Sequence, residues 1–148
     1  MELTDMIRML QNIDINSVAD IWLKANLNAH YFISKHYWVS NYELVKKMLA
    51  QAEVYVYEDD KMIQGFIGVS DEYIEGIFVS DEMQSRGIGK MLLDYIKDKK
   101  DRLQLKVYQK NVRAMSFYQR EGFTIQSESM DEFTGEKEYV MNWESSGI

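Results

Sequence analysis

The sequence predicts a single α+β domain, residues 1–148, with a mixed and mostly antiparallel sheet of about seven strands flanked by about four helices. The predicted elements run in the order strand, two helices, three strands, helix, strand, helix and two strands. One strand–helix–strand crossover lies near the centre, as expected for an α+β domain rather than for a repeating βα pattern. The chain contains neither an internal repeat nor a linker, so its length fits one domain.

In the N-terminal part, the elements follow from the spacing of apolar residues. A short strand is predicted over residues 7–10, and apolar side chains at helical spacing predict a helix over about residues 14–28. A second helix is expected to be capped by Ser40 and to carry an apolar face from Leu44 to Leu49. The intervening stretch, residues 29–38, is aromatic and only weakly periodic, so neither a helix nor a strand is predicted there.

The remaining chain alternates strands with two helices. The predicted strands are Val54 to Tyr57, Met62 to Val69, Tyr73 to Val79, Leu103 to Tyr108, Phe123 to Ser127 and Glu138 to Trp143. Helical spacing from Ile88 to Ile96 predicts the first of the two helices. The second is expected to be capped by Asn111 and to end at Gly122, since these residue types favour those positions.

The content of cysteine and histidine excludes several kinds of site. Cysteine is absent, and histidine occurs only as His30 and His36. Disulfide scaffolds, structural cysteine–zinc sites and thiol nucleophiles are therefore excluded. Two histidines cannot build a multi-histidine centre, and we expect a protein that uses no metal.

Charge and hydropathy narrow the range of partners. The formal net charge is −7 without a basic stripe, and an acidic surface repels nucleic-acid phosphate but attracts cationic ligands such as amines. The segment Met1–Asp5 is acidic where a signal peptide needs positive charge. No apolar run reaches the about 18 residues that a membrane span requires. We therefore expect a cytoplasmic protein that binds neither nucleic acid nor membrane.

A glycine-containing loop, Gln84–Lys90, lies between the strand that ends at Val79 and the helix that follows. Gly87 and Gly89 lack Cβ atoms, so backbone N–H groups at this helix start can approach a ligand closely. The helix N-terminus adds partial positive charge, which suits an anion such as pyrophosphate. A flexible connection without a ligand would carry the same residues, so the loop alone leaves both interpretations open.

Two phosphate-binding motifs fail at this loop. A dinucleotide-binding loop needs a third glycine at the position of Leu92. A P-loop needs glycine at the position of Gln84 and serine or threonine at the position of Met91. The loop therefore does not support a prediction of a Rossmann dehydrogenase or of a P-loop kinase.

Two blocks of sequence resemble the GNAT superfamily of acetyltransferases. Gln84-x-x-Gly87-x-Gly89 matches the Gln/Arg-x-x-Gly-x-Gly/Ala loop of that family, and residues 77–93 are similar to its central strand, loop and helix. Residues 111–123 are similar to its second block, Asn-x-x-Ala-x-x-Phe-Tyr-x-x-x-Gly-Phe. The two blocks occur in the order found in the family, as do the predicted elements.

Residues 30–38 and 107–111 further resemble a small bacterial branch of this family, the YiaC/YjaB-like branch, whose members are linked to lysine acetylation. The resemblance implies an N-acetyltransferase with acetyl-CoA as co-substrate and no metal. The acetyl group would pass by direct attack, in a ternary complex, to a primary amine of a small molecule or of a protein lysine or N-terminus. A non-catalytic acyl-CoA-binding sensor is the alternative. We expect a monomer or a homodimer.

The resemblance also implies which residues hold the cofactor. Backbone N–H groups from Ser85 to Lys90 would bind the pyrophosphate, and Asn111 would bond the pantetheine arm besides capping its helix. Main-chain groups around Ile77 and Val79 would pair with that arm, in a gap where the central strand splays away from the strand that contains Val107. The full predicted set is Ile77, Phe78, Val79, Gln84, Ser85, Arg86, Gly87, Ile88, Gly89, Lys90, Asn111, Ala114, Phe117 and Tyr118.

Three residues are candidates for catalysis. By the same resemblance, Tyr118 is the general acid, since a phenol with a pKa near 10 can pass a proton to a departing thiolate. The general base is left open between Glu75, His30 and bulk water. Glu75 is expected on the same strand face as Ile77, two residues away, and His30 lies in the aromatic stretch that commonly borders the acceptor site in this family. Core packing is the competing interpretation for Phe117 and for most aromatic residues of the 29–38 stretch.

Overall fold

Seven strands form one sheet in the computed structural model of the protein, which describes residues 6–146. The strands are β1 (Ile7–Met9), β2 (Glu53–Asp59), β3 (Met62–Ser70), β4 (Tyr73–Val79), β5 (Arg102–Tyr108), β6 (Thr124–Met130) and β7 (Lys137–Glu144). The helices are α1 (Ile15–Ala29), α2 (Lys35–Ser40), α3 (Tyr42–Leu49), α4 (Ile88–Lys97) and α5 (Val112–Arg120). Single-turn 3₁₀ helices occupy Asn12–Asp14 and Asp81–Met83. The predicted α+β class and the order of strands are confirmed.

The strands lie in the order β1-β2-β3-β4-β5-β7-β6. All neighbouring pairs are antiparallel except β4 and β5, which α4 connects in parallel. The helices cover both faces of the sheet. Helices α1 and α3 pack on the face that carries Val54, Val56 and Phe66, whereas α4 and α5 pack on the face that carries Ile67 and Leu105. Each of these helices thus buries its apolar side against the sheet.

Strands β4 and β5 separate soon after they begin. Their only paired residues are Tyr73 and Gln104, and the N–H of Gln104 donates to the carbonyl of Glu72 at 2.8 Å. From there to Val79 and Tyr108, no ladder joins the two strands. The expected divergence of the central strand is confirmed, and it opens a gap at the middle of the sheet.

A β-bulge at Glu75 corrects one prediction. Gly68 pairs with Gly76 and the adjacent Val69 pairs with Ile74, so Glu75 has no partner on β3. A Cβ placed on Gly68 would lie 3.8 Å from the Cβ of Glu75 on the α1 face of the sheet, whereas Ile77 packs against the core under α4. The prediction that Glu75 and Ile77 share a face is wrong, because a bulge shifts the alternation of side chains by one residue.

Helix α2 was not predicted, and it begins where Ser34 Oγ accepts a hydrogen bond from His36 N at 3.2 Å. Its residue Trp38 is 6% exposed and packs against Trp22 and His30, with ring centroids 5.7 and 5.4 Å away. A helix of six residues is too short to show a helical period. Tertiary packing of the aromatic ring therefore stabilises this helix.

Of the three residues predicted at helix ends, one is wrong and two are confirmed. Ser40 was expected to cap α3, but it is the last residue of α2, and its hydroxyl donates to the carbonyl of Tyr37 at 3.1 Å. Asn41 takes the N-cap position of α3. Asn111 caps α5 by accepting from the backbone N–H of Ala114, the third residue of the helix, and Gly122 follows α5 with a φ of 94°. Both of these predictions are confirmed.

None of the helices within residues 6–146 combines the length and the apolar character needed to cross a bilayer. In the same part of the chain, His, Asp and Glu side chains do not gather in groups of three or more that could hold a metal ion. The signal-peptide argument rests on Met1–Asp5, which lie outside the described residues.

Candidate active site

A cleft of about 820 Å³ lies where β4 and β5 diverge, bounded by the end of α1, the N-terminus of α4 and helix α5. The structure brings most of the predicted residues to it. The predicted residues that line it are His30, Ile77, Phe78, Val79, Gln84, Ser85, Gly87, Ile88, Gly89, Lys90, Asn111, Ala114, Phe117 and Tyr118. Two predicted residues, the exposed Arg86 and the bulged Glu75, do not line this cleft.

The N-terminus of α4 presents free backbone donors to the cleft. The first helical hydrogen bond runs from Met91 N to Gly87 O at 3.0 Å, so the N–H groups of Ile88, Gly89 and Lys90 have no partner within the helix. No side chain among the described residues caps this helix. Because the helix dipole also places partial positive charge there, this end of the cleft suits an anion.

The loop before α4 turns through two left-handed residues, Ser85 with φ 67° and Gly87 with φ 83°. A Cβ on Gly87 would meet nothing within 4 Å, so this glycine is needed for its backbone conformation and for the approach of a ligand. A Cβ on Gly89 would instead lie 3.6 Å from Phe117 and 3.9 Å from Ile77. Gly89 therefore lies where β4, α4 and α5 meet.

Arg113 lies across the loop and was missed by the sequence analysis. Its Nη1 donates to Gln84 Oε1 at 2.9 Å, and its Nη2 donates to Ser85 Oγ at 3.0 Å. Gln84 Nε2 in turn donates to the carbonyl of Val79 at 3.3 Å. These bonds tie the loop to both β4 and α5 and place a guanidinium at the anion-binding end. Arg113 falls on an unspecified position of the second family block, so that block gave no signal for it.

The nearby Lys90 carries a charge that is already paired. Its Nζ lies 2.9 Å from Glu121 Oε1 and 3.4 Å from Asp94 Oδ2. The hydrogen bond to Glu121 is the largest of the effects that raise the pKa of Lys90. Arg113 is therefore the better placed of the two cations for a bound anion.

Tyr118 is 8% exposed, and its ring packs edge-on against Phe117 and Phe123 at centroid distances of 5.2 and 5.5 Å. Burial raises the pKa of Tyr118 well above its ordinary value, and the neighbouring Tyr73 raises it further. The phenol is therefore fully protonated near neutral pH and holds a proton for donation. The residue also lines the cleft, which opens where β4 and β5 diverge.

His30 reaches the same cleft from the end of α1. Its Nε2 lies 3.1 Å from Asn111 Nδ2, and its Nδ1 lies 2.9 Å from Asn26 Oδ1. Burial lowers the pKa of His30 to about 4. The imidazole is thus neutral at pH 7, and both of its nitrogens are already hydrogen-bonded.

Tyrosine and carboxylate side chains gather on the α1 face of the sheet, beside the gap. Burial raises the pKa of Tyr73 to about 12, and the charges of Glu75 and Glu138 contribute. Burial and the charge of Asp131 raise the pKa of Glu138 above its usual range. Tyr108 is paired with Glu138 in the register of β5 against β7. Its hydroxyl donates to Asp131 Oδ2 at 2.6 Å. A cationic group would be stabilised here.

Comparison with known proteins identifies the family. Residues 50–125 match the family described as acetyltransferase (GNAT) domain. The peptidyl-lysine N-acetyltransferase YiaC of Escherichia coli K12 is 34% identical to this chain over 140 residues, which cover 93% of this chain and 96% of that protein. The chain belongs to the GNAT acetyltransferase family. It falls in the YiaC/YjaB-like branch, as its sequence predicted.

Solved structures agree with the GNAT fold. The solution structure of apo YjaB from Escherichia coli superimposes with a TM-score of 0.83 at 22% identity, covering 92% of this chain and 95% of that one. The PaiA N-acetyltransferase of Thermoplasma acidophilum, solved in complex with coenzyme A, superimposes with a TM-score of 0.77 at 20% identity, covering 94% and 98%. These structures share the fold of this chain, while the family match and the likeness to YiaC show that it is a GNAT-type acetyltransferase.

The group of tyrosines and carboxylates beside the gap was not predicted from the sequence. Tyr73, Tyr108, Asp131 and Glu138 were placed only as strand or loop residues. Their grouping depends on the register of β5 against β7 and on the bulge in β4. Neither feature leaves a local signal in the sequence.

Proposed function

We propose that this GNAT protein transfers an acetyl group from acetyl-CoA to a primary amine by direct attack, and that the amine belongs to a lysine of a protein. One observation carries the proposal. Tyr118 and the uncapped N-terminus of α4 line one cleft, at the point where β4 and β5 diverge. That cleft combines an anion site, an unpaired strand edge and a proton donor.

The cofactor would be held mainly by backbone groups. The free N–H groups at the start of α4 suit the pyrophosphate, and the guanidinium of Arg113 lies beside the same loop. The edge of β4 beyond Tyr73 has no partner on β5, so its peptide groups can pair with an amide-containing arm. Oriented backbone donors of this kind also stabilise the charge that develops on a thioester carbonyl.

The reaction needs the ammonium group of lysine to lose one proton before the chemical step. The neutral nitrogen then attacks the acetyl carbonyl, the new C–N bond forms and the C–S bond breaks. The attacking nitrogen releases its surplus proton to water, and Tyr118 protonates the departing sulfur and regains its own proton from water. A lysine with a pKa of about 10.4 is neutral in only about 1 of 2,500 molecules at pH 7, a cost of about 4.6 kcal/mol. The amine proton would pass to bulk water or, through water, to one of the carboxylates near Tyr73, Glu75 or Glu138.

The choice of a lysine acceptor rests on charge and on relatives. The net charge of −7 and the acidic groups near Tyr73 both favour a cationic substrate. YiaC carries the name of a peptidyl-lysine N-acetyltransferase. These observations together favour a lysine side chain over a neutral or acidic acceptor.

An acceptor panel tests the proposal directly. Thiol release from acetyl-CoA would be followed with lysine peptides, N-terminal amines of peptides and small polyamines, and repeated with propionyl-CoA and succinyl-CoA. We expect release above background with lysine peptides and acetyl-CoA. Release only with a small amine would refute the lysine assignment, and coenzyme A binding without release in any arm would favour the acyl-CoA sensor.

Replacing Tyr118 with phenylalanine tests the proton donor. Tyr118→Phe should lower kcat at least about tenfold, within the usual range for loss of general acid–base catalysis, while coenzyme A affinity stays close to that of the wild type. Tyr57→Phe is the matched control, since Tyr57 is 5% exposed, its pKa is raised by burial, and it does not line the cleft. Equal kcat in the two variants would show that Tyr118 is not the proton donor.

A further inference from the structure

A continuous chain of hydrogen bonds connects α1 to α5 at the edge of the cleft. Asn26 Nδ2 donates to the carbonyl of Trp22 at 2.8 Å, and Asn26 Oδ1 lies 2.9 Å from His30 Nδ1. His30 Nε2 lies 3.1 Å from Asn111 Nδ2. Asn111 Oδ1 accepts from the N–H of Ala114 at 3.2 Å. This chain of hydrogen bonds therefore begins at the backbone carbonyl of Trp22 and ends at the backbone N–H of Ala114.

These two ends determine the direction of every bond between them. A carbonyl can only accept, so the amide of Asn26 must turn its NH₂ group toward Trp22 and its oxygen toward His30. A backbone N–H can only donate, so Asn111 must turn its oxygen toward Ala114 and its NH₂ group toward His30. The imidazole must then be neutral, with its proton on Nδ1 and a lone pair on Nε2.

The surroundings of His30 agree with a neutral ring. Trp38 stacks on it at 5.4 Å, and Tyr108 and Phe32 meet it edge-on at 5.0 and 5.6 Å. Two charged groups beside these rings have partners of their own. Asp131 accepts from the hydroxyl of Tyr108, and Lys110 lies 5.4 Å from the ring of Phe32 while paired with Glu136 at 3.2 Å.

The same chain determines what Asn111 can offer to a ligand. One hydrogen of its Nδ2 is directed to His30, and its oxygen serves the cap of α5. The second Nδ2 hydrogen remains, and both Asn111 and His30 line the cleft. Asn111 is thereby prepared to donate a hydrogen bond, which suits the carbonyl of an amide.

We propose that His30 is a positioning residue, which accepts from Asn111 and so holds that amide ready to donate to an amide carbonyl of the acyl-CoA. The inference rests on the proposed function, because it takes acyl-CoA as the ligand of the cleft. It assigns His30 a role other than that of the general base, since the lone pair that a base would use is already occupied by Asn111. Asn26 keeps the ring in the required tautomer.

Two substitutions of His30 separate its two bonds. The amide of His30→Asn reaches about as far as Nδ1, so it can still donate to Asn26 but cannot reach Asn111. The amide of His30→Gln reaches about as far as Nε2, so it can still accept from Asn111 while the bond to Asn26 is lost. Titration calorimetry with coenzyme A and steady-state kinetics with acetyl-CoA would be run on both variants, with the exposed His36→Asn as the control.

We expect His30→Asn to raise the Kd of coenzyme A and the KM of acetyl-CoA about tenfold, the effect of losing one well-oriented hydrogen bond, with kcat changed by less than about threefold. His30→Gln should recover most of that affinity. A loss of kcat of about a hundredfold or more in both variants, with KM unchanged, would indicate a general base and overturn the proposal. Equal losses of affinity in both variants would indicate a purely structural role and would also overturn it.

The tautomer can be tested without any cofactor. In a His36→Asn background, His30 is the only histidine of the chain, and its ring-nitrogen NMR signals should show a proton on Nδ1 and none on Nε2 at pH 7. A proton on Nε2 would overturn the proposed direction of the chain. If the wild type binds no coenzyme A, the proposed function fails. If the wild type and His30→Asn bind it equally, the role of His30 fails instead.

Discussion

The two ends of the cleft are built from different parts of the polypeptide. The cofactor end consists mainly of backbone N–H groups at the start of α4, exposed because Gly87 lacks a side chain. The other end is set by side chains that converge from different elements: His30 lines the cleft there, and Trp38 of α2 and Tyr108 of β5 pack against its ring. A site made of backbone can be encoded in a few adjacent residues, whereas a site made of side chains depends on the whole fold.

The largest expected effect is at the backbone end. Gly87→Glu should weaken coenzyme A binding by more than about a hundredfold, because a carboxylate placed beside bound pyrophosphate adds both bulk and like charge. The variant also forces a non-glycine residue to a φ of 83°. Calorimetry with coenzyme A gives the affinity.

Gly135→Glu is the matched control for this change. Gly135 has a φ of 74° and open space around its missing Cβ, as Gly87 does, but it lies in the loop between β6 and β7 and does not line the cleft. Both variants are therefore expected to have a similar backbone strain. A similar loss of coenzyme A affinity in the two would show that strain, rather than the position of Gly87, weakens binding.

The contrast between the two ends explains which features could be predicted from sequence. The order of strands, the loop before α4 and the position of Tyr118 follow from local spacing and from two family blocks. Helix α2 depends on the packing of Trp38, and the contact of His30 with Asn111 joins residues that are 81 positions apart. The bulge at Glu75 leaves no mark in the sequence, since it follows from the pairing of β3 with β4.

The second prediction concerns the side-chain end and pH. Burial lowers the pKa of His30 to about 4, whereas an unfolded histidine has a pKa near 6.5, so the unfolded state binds more protons between these values. The contribution of His30 to stability is therefore complete above about pH 6.5 and is lost as the pH falls toward 4. The loss should be about 3 kcal/mol of unfolding free energy.

Denaturant unfolding of wild type and His30→Asn at a series of pH values measures this loss. The difference in unfolding free energy between the two proteins should shrink as the pH falls through that interval. The exposed His36→Asn should behave as the wild type does. A constant difference across the interval would mean that His30 is not buried as a neutral ring, and the side-chain end would need another explanation.

The third prediction concerns Arg113, whose guanidinium lies beside the loop at the backbone end. Arg113→Ala should raise the Kd of coenzyme A about tenfold, because a charge-assisted contact to phosphate contributes roughly 1.5–3 kcal/mol before salt screening. Arg102→Ala, at an exposed position at the start of β5, is the control for the loss of one positive charge. The affinity of Arg113→Ala should also depend less on salt than that of the wild type. An unchanged salt dependence would mean that Arg113 only tethers the loop through Gln84 and Ser85.

The smallest expected effect separates the two glycines of the cofactor loop. A Cβ on Gly89 would point toward Phe117 and Ile77 at ordinary contact distances, so Gly89→Ala leaves the free N–H groups uncovered and should change the Kd of coenzyme A by no more than about threefold. Gly87→Ala should instead lower the free energy of unfolding by about 1 kcal/mol, because alanine is strained at a positive φ. Calorimetry and denaturant unfolding of both variants test the distinction. A larger loss of affinity at Gly89 than at Gly87 would mean that side-chain space at the junction of β4, α4 and α5, rather than backbone conformation, determines binding at this end.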